Sequence, residues 1–98
     1  SSLDAAGRYR YVNQTYAATA GYRPEELIGM PWQQTVHPAD LEKLTIAYQQ
    51  MVQHGKVDIE ARGIRRDGST FYKQLVMIAT YDEQHQLAGH HCFMKDIT

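Results

Sequence analysis

The chain has 98 residues, 43% of them hydrophobic, which suits one folded domain and excludes a disordered segment. Its formal charge is −1 and it carries no basic run, which argues against nucleic acid as the main partner. No apolar run nears the roughly 18 residues of a membrane span, no signal-peptide pattern is visible, and a single cysteine, Cys92, rules out an internal disulfide. A lone thiol of this kind suits a reduced, cytoplasmic setting, and with no apolar span no direct membrane contact is expected of this stretch. The absent initiating Met and the abrupt end at Asp96-Ile97-Thr98 suggest a piece of a longer protein, whose own anchoring stays open.

Along the chain, Asp4-Ala5-Ala6-Gly7 reads as a turn, and residues 8–12 alternate like a short strand. Asn13 is placed to cap a helix over residues 14–20, with Gly21 ending it. Pro24-Glu25-Glu26-Leu27 fits one helical turn, with Pro at its first position and acids at the positive end. Gly29 and Pro31 break the chain, and residues 32–36 form a short connecting segment. The longest helix is expected over residues 38–53, because Leu41, Leu44, Tyr48 and Met51 or Val52 recur at three- and four-residue spacing. Residues 57–63 alternate at period two, Asp67-Gly68 supplies a tight turn, and residues 70–80 return as a strand rich in aromatic and β-branched side chains. A polar turn at residues 82–86 precedes a last strand over residues 87–95. Helices first and antiparallel strands last imply an α+β fold, with helices on one face of the sheet.

Several of these pieces occur together in one family. Asp4 and Gly7 precede a strand ending in Val12-Asn13, Gly21-Tyr22 leads into Pro24-Glu25-Glu26-Leu27-Ile28-Gly29, and Val36-His37-Pro38-Ala39-Asp40 opens the long helix. Arg65-Arg66-Asp67-Gly68-Ser69 and the closing Asp96-Ile97-Thr98 complete the set. In that order they resemble a PAS (Per-Arnt-Sim) sensory domain over nearly the whole length. The resemblance implies a five-stranded antiparallel sheet, helices enclosing a pocket, and a single domain over residues 1–98. It also implies a first strand mostly preceding Asp4, and thus truncated here, and a signalling helix leaving after Asp96, Ile97 and Thr98 toward an output domain of the same parent chain. The family is mostly non-catalytic and sits in larger proteins such as histidine kinases and cyclic-dinucleotide enzymes.

The family's cofactor-bearing branches expect particular side chains. Photochemical flavin domains carry a cysteine where Trp32 falls, and the amides that hold the flavin map to Gly63, Lys73 and Met94, none of which is Asn or Gln. Haem-binding members use a helix histidine near the position of Leu44, and residues 41–53 contain none. Flavin and haem are therefore disfavoured, and no cofactor is assigned. His90 and His91 point to opposite faces of their strand; a buried His90 with Cys92 two residues on is competent for a metal, but a packed strand is the simpler reading. No phosphate-binding Gly-rich loop or nucleophile–base pair occurs, and Glu25-Glu26 suits a helix start, so an enzyme is not expected.

What remains is an apolar pocket. Its expected lining is Trp32, Val36, Leu44, Tyr48, Ile59, Ala61, Leu75 and Met77, with His90, Cys92 and Met94 facing in from the last strand; Gly63 and Ala61 are expected to leave room above the sheet. Lys73 shares the inward parity, and either snorkels to water or pairs with an acidic ligand. On the outer parity Tyr72, Val76, Ile78 and Phe93 form an apolar patch suited to a homodimer. Three functions follow: a module that senses a small molecule in the pocket or signals through its dimer interface, a purely structural module that pairs through the outer face, or, disfavoured by the residues above, a flavin- or haem-bearing redox or gas sensor.

Overall fold

The computed structural model describes residues 1–98 as one five-stranded antiparallel sheet with its helices on one side. The strands are β1 (Ser2–Asp4), β2 (Tyr9–Tyr11), β3 (Lys56–Ile64), β4 (Thr70–Tyr81) and β5 (Leu87–Asp96), in the spatial order β2-β1-β5-β4-β3. Between β2 and β3 run α1 (Gln14–Thr19), α2 (Pro24–Leu27) and α3 (Leu41–His54). The central pair is consecutive in the chain, but β1 crosses the length of the sequence to reach β5.

Local chemistry accounts for the element ends. Asn13 Oδ1 accepts from the Tyr16 amide at 2.8 Å and so caps α1, as its position predicts. The expected single helix over residues 38–53 is instead a 3₁₀ turn, Pro38–Asp40, followed by α3. The break has a physical cause. His37 Nδ1 accepts from the Ala39 amide at 3.1 Å, and the Asp40 carboxylate turns outward to the edge of β3 rather than along the helix axis. There Asp40 accepts from the Arg62 amide at 2.8 Å and from the guanidinium at 3.1 and 2.8 Å, a bidentate clamp between the start of α3 and the sheet.

Register assigns the faces. Val57↔Met77, Ile59↔Leu75 and Ala61↔Lys73 pair β3 with β4, and Leu75↔Met94, Met77↔Cys92 and Ala79↔His90 pair β4 with β5. These residues face the helices. The core between them and α3 includes Leu44, Ala47 and Met51 from the helix, closed at one end by Leu3, Tyr9, Val12, Tyr16 and Leu27. Ala47, which the three- and four-residue spacing passed over, is fully buried because a small side chain lets α3 approach β3. At Gly89 a Cβ would lie 2.0 Å from the Leu3 carbonyl oxygen, so only glycine lets β1 close against β5.

Candidate functional site

The cavity beneath α3 lies where the sheet, the 3₁₀ turn Trp32–Thr35 and α1 converge. Its volume is about 20 Å³. Of the side chains expected to line a pocket, Trp32, Val36 and Leu44 reach it from the helical layer. Lys73, Leu75, Met77, His90 and Cys92 reach it from the sheet. The cavity also takes in Leu3, Tyr9, Tyr16 and Thr35, which sequence periodicity did not single out. Their signal was faint: Leu3 and Thr35 lie in elements of three and four residues, too short to show a period, the alternation around Tyr9 does not say which face turns inward, and Tyr16 is on a helix of six residues.

Four expected lining residues lie elsewhere. Tyr48 stacks on Trp32, with ring centroids 5.8 Å apart, and meets His90 edge-on at 5.6 Å, so it stands behind the wall. Ile59 packs beside Ala47 in a shallow surface depression of α3 and β3. Ala61 is buried in the core without reaching the cavity. Met94 turns to an open groove along α1 and β5, beside Thr15 and Ser1, because β1 is too short to cover that end of β5. Nor do Gly63 and Ala61 leave empty room. The Phe71 ring fills the space over Gly63, where a Cβ would stand 2.6 Å from it.

Lys73 overturns the snorkelling expectation. Only 2% of the residue is exposed, and its ammonium donates to the Thr35 carbonyl at 3.3 Å and lies 5.7 Å from the centre of the Phe71 ring. No carboxylate lies within 4.0 Å of it. Burial lowers its pKa from 10.5 to about 8. The cause is geometric: Phe71 and the Trp32–Thr35 turn close the route along which the stem would reach water.

A directed hydroxyl chain runs beside it. Thr35 uses its one hydroxyl proton on the Trp32 carbonyl at 2.8 Å, so Tyr9 donates to Thr35 at 2.9 Å and Tyr16 donates to Tyr9 at 2.8 Å. Burial raises Tyr9 to about 12 and Tyr16 well above the ordinary phenol value, and it pushes the Cys92 thiol up. His90 is held down at about 4 by burial, and its Nδ1 has no hydrogen-bond partner. At neutral pH the groups around Lys73 are therefore uncharged. His90 and Cys92 belong to no cluster of three or more metal-ligating side chains, so the metal reading gains no support from geometry. Flavin and haem do not fit these residues either: no amide stands at Gly63, Lys73 or Met94, Leu44 occupies the haem-histidine position, and the void holds about one water-sized group.

The outer face of the sheet carries the expected patch. Phe93 pairs directly with Val76, and Ile78 lies beside His91. Phe93 is 61% exposed and Tyr72 55%. Tyr11, 63% exposed, joins them through the row Tyr11–Ser2–His91–Ile78, a member that only the pairing of β2 with β1 reveals. At the chain's end the Ile97 amide donates to the Tyr72 carbonyl at 2.9 Å, Asp96 accepts from the Thr98 amide at 2.9 Å, and Arg65 faces Asp96 at 3.7 Å.

Comparison with known proteins agrees with this architecture. Among curated proteins there is no match. A PAS domain of a protein from Colwellia psychrerythraea is similar, at 26% identity and TM-score 0.92, covering 99% of this chain and 83% of that one. PAS-B of Drosophila melanogaster Cycle, with bound ethylene glycol, is similar at 18% identity and TM-score 0.89, over 98% and 97% of the two chains. The N-terminal domain of a diguanylate cyclase with a PAS/PAC sensor, from Marinobacter aquaeolei, has 19% identity and TM-score 0.82 over 98% and 91%. Finally, the family model described as the PAS fold matches residues 9–94. With that match and the observed sheet order, the chain belongs to the PAS family of sensory domains.

Proposed function

We propose that this domain is a non-catalytic sensory module of a larger signalling protein, a histidine kinase or a cyclic-dinucleotide enzyme, and that it reads a small molecule in the cavity beneath α3. The observation that carries this is the pair of buried polar groups on the cavity wall, Lys73 Nζ with unused donors and His90 Nδ1 with no partner. Packing alone gives no reason to bury them, since unsatisfied polar groups destabilise a core. The Cycle PAS-B domain, which holds ethylene glycol, shows a small polar molecule in a domain of similar fold.

The route to output runs through β4. Its residues Lys73, Leu75 and Met77 line the cavity, and its Tyr72 carbonyl holds Ile97. A ligand that prefers one arrangement of β4 and β5 thereby biases the segment following Asp96, Ile97 and Thr98; one with equal affinity for both would shift nothing. A reducing, cytoplasmic compartment belongs to this reading, and the single free, buried thiol of Cys92 suits it. No helix is long and apolar enough to cross a membrane.

The test is a thermal-shift screen of the purified domain against small metabolites, with mass spectrometry of the supernatant after denaturation. A saturable rise in Tm, about 4–8 °C per kcal/mol of binding for a domain this size, is the expected result. If no compound moves Tm and nothing is released, the pocket reading fails. A second reading would then stand, a dimerisation module using the outer face, for which the uncovered Tyr11, Tyr72 and Phe93 speak.

A further inference from the structure

We propose that the ligand of this cavity is a short aliphatic carboxylate, its head group held by the Lys73 ammonium and its tail by Leu44, Leu75 and Met77. The inference rests on the pocket reading above and narrows it to one chemical class.

Donor accounting selects the head group. Each hydroxyl proton of Tyr16, Tyr9 and Thr35 is already used along the chain that ends on the Trp32 carbonyl. The ammonium of Lys73 has three protons and gives one to the Thr35 carbonyl, so two remain unused in the cavity wall. A site with spare cationic donors fits a group that only accepts, and an ionised carboxylate is acceptor-only; an alcohol would give its own proton to the unpartnered Nδ1 of His90 and leave the charge of the ammonium unmet. Charge makes the same choice. Lys73 has no acidic side chain within 4.0 Å, and the titratable groups around it, Tyr9 on β2, Tyr16 on α1 and His90 and Cys92 on β5, are neutral at pH 7. A buried cation without a counter-charge is strongly destabilising, and an anion beside it removes that cost.

The remaining wall selects the tail. Val36, Leu44, Leu75 and Met77 are apolar and buried, which favours a hydrocarbon appendage over a bare inorganic anion. Size selects a short one. The void of about 20 Å³ admits one water-sized group and is smaller than any carboxylate, so binding requires the flexible Met77 side chain to move aside, which limits the ligand to a few carbons.

The experiment is a thermal-shift titration of the domain with sodium acetate, propionate and butyrate, beside propionamide, 1-propanol and sodium chloride at matched ionic strength. The expected result is a saturable Tm rise for propionate that exceeds those for propionamide, propanol and chloride and is absent in Lys73→Met. A filtered nuclear Overhauser contact from the propionate methyl to the Leu75 and Met77 methyls is expected in the wild-type chain, and this measurement needs no variant to fold. Equal shifts for propionate and its neutral counterparts, or an undiminished propionate shift in K73M, would overturn the carboxylate assignment and leave the pocket reading intact. The assignment also falls if propionate gives no contact to Leu75 or Met77. If neither the carboxylates nor the neutral compounds act, and the metabolite screen is silent too, both readings fall together.

Discussion

At Lys73 a single side chain sets the stability of the core against its polarity. The ammonium has its ordinary midpoint at 10.5 in the unfolded chain, but in the fold that midpoint falls to about 8. The unfolded state therefore binds more protons between these values, and stability from this group rises with pH across about 8 to 10.5. Below pH 8 the cost is present in full, on the order of 3 kcal/mol. Lys73→Met keeps the length of the stem and removes the charge, so in the absence of ligand it is expected to stabilise the domain by about 1–3 kcal/mol at pH 7. Cys92 titrates in the same alkaline range with opposite sign, because its raised pKa lets the unfolded state lose the proton first. The readout is therefore the difference between wild-type and K73M denaturation curves at pH 7 and 10, which should narrow at the higher pH. A K73M domain less stable than wild type at pH 7 would show that the ammonium stabilises the core. The parity of β4 showed that Lys73 points inward; whether its tip reached water was decided by Phe71, two residues back on the same face of the strand, together with the Trp32–Thr35 turn, which is distant in sequence.

At the scale of elements, the α3–β3 junction shows how one carboxylate replaces a conventional helix start. Asp40 accepts from both the backbone and the guanidinium of Arg62, and these hydrogen bonds hold its pKa at about 2, well below 3.8. Its stabilisation is thus complete above pH 3.8 and is lost as pH falls through about 2. With screening by solvent, roughly 1–2 kcal/mol is expected. Asp40→Ala should destabilise the domain by about 2 kcal/mol, since it also strips the Arg62 amide of its acceptor, and it should flatten the acid limb of the stability profile between pH 4 and 2. Urea denaturation at pH 7 and at pH 2.5 measures both; an unchanged midpoint at pH 7 would refute the clamp. The element types were legible beforehand: the caps, the Asp67-Gly68 turn and the period-two strands are local signals. The split of the long helix was not, because it depends on where Arg62 arrives on another element.

For the whole molecule, the two faces of the sheet differ in what covers them. The inner face meets the cavity, and the outer face leaves Tyr11, Tyr72 and Phe93 without a covering helix. Self-association through that face is the expected behaviour, so apparent Tm should rise with protein concentration. Phe93→Glu places a charge opposite Val76 at the centre of the patch; it should abolish the concentration dependence while leaving the monomer's Tm within a few degrees. Sedimentation velocity checks the mass directly, and a wild-type chain that stays monomeric at hundreds of micromolar would remove this face as a homodimer surface. The amino-acid sequence by itself determined the α+β class, the strands β2 to β5, the approximate helices and which parity of β3, β4 and β5 faces inward, because these follow from interactions spanning only a few residues. Only the tertiary structure decided which inward residues share a cavity, that Phe71 fills the space above Gly63, that Tyr9, Tyr16 and Thr35 join in one hydrogen-bonded chain, and that Lys73 is sealed from water. The reason is the long crossover that sets β1 and β2 beside β5: it joins the two ends of the chain, and no local periodicity carries the distance between them.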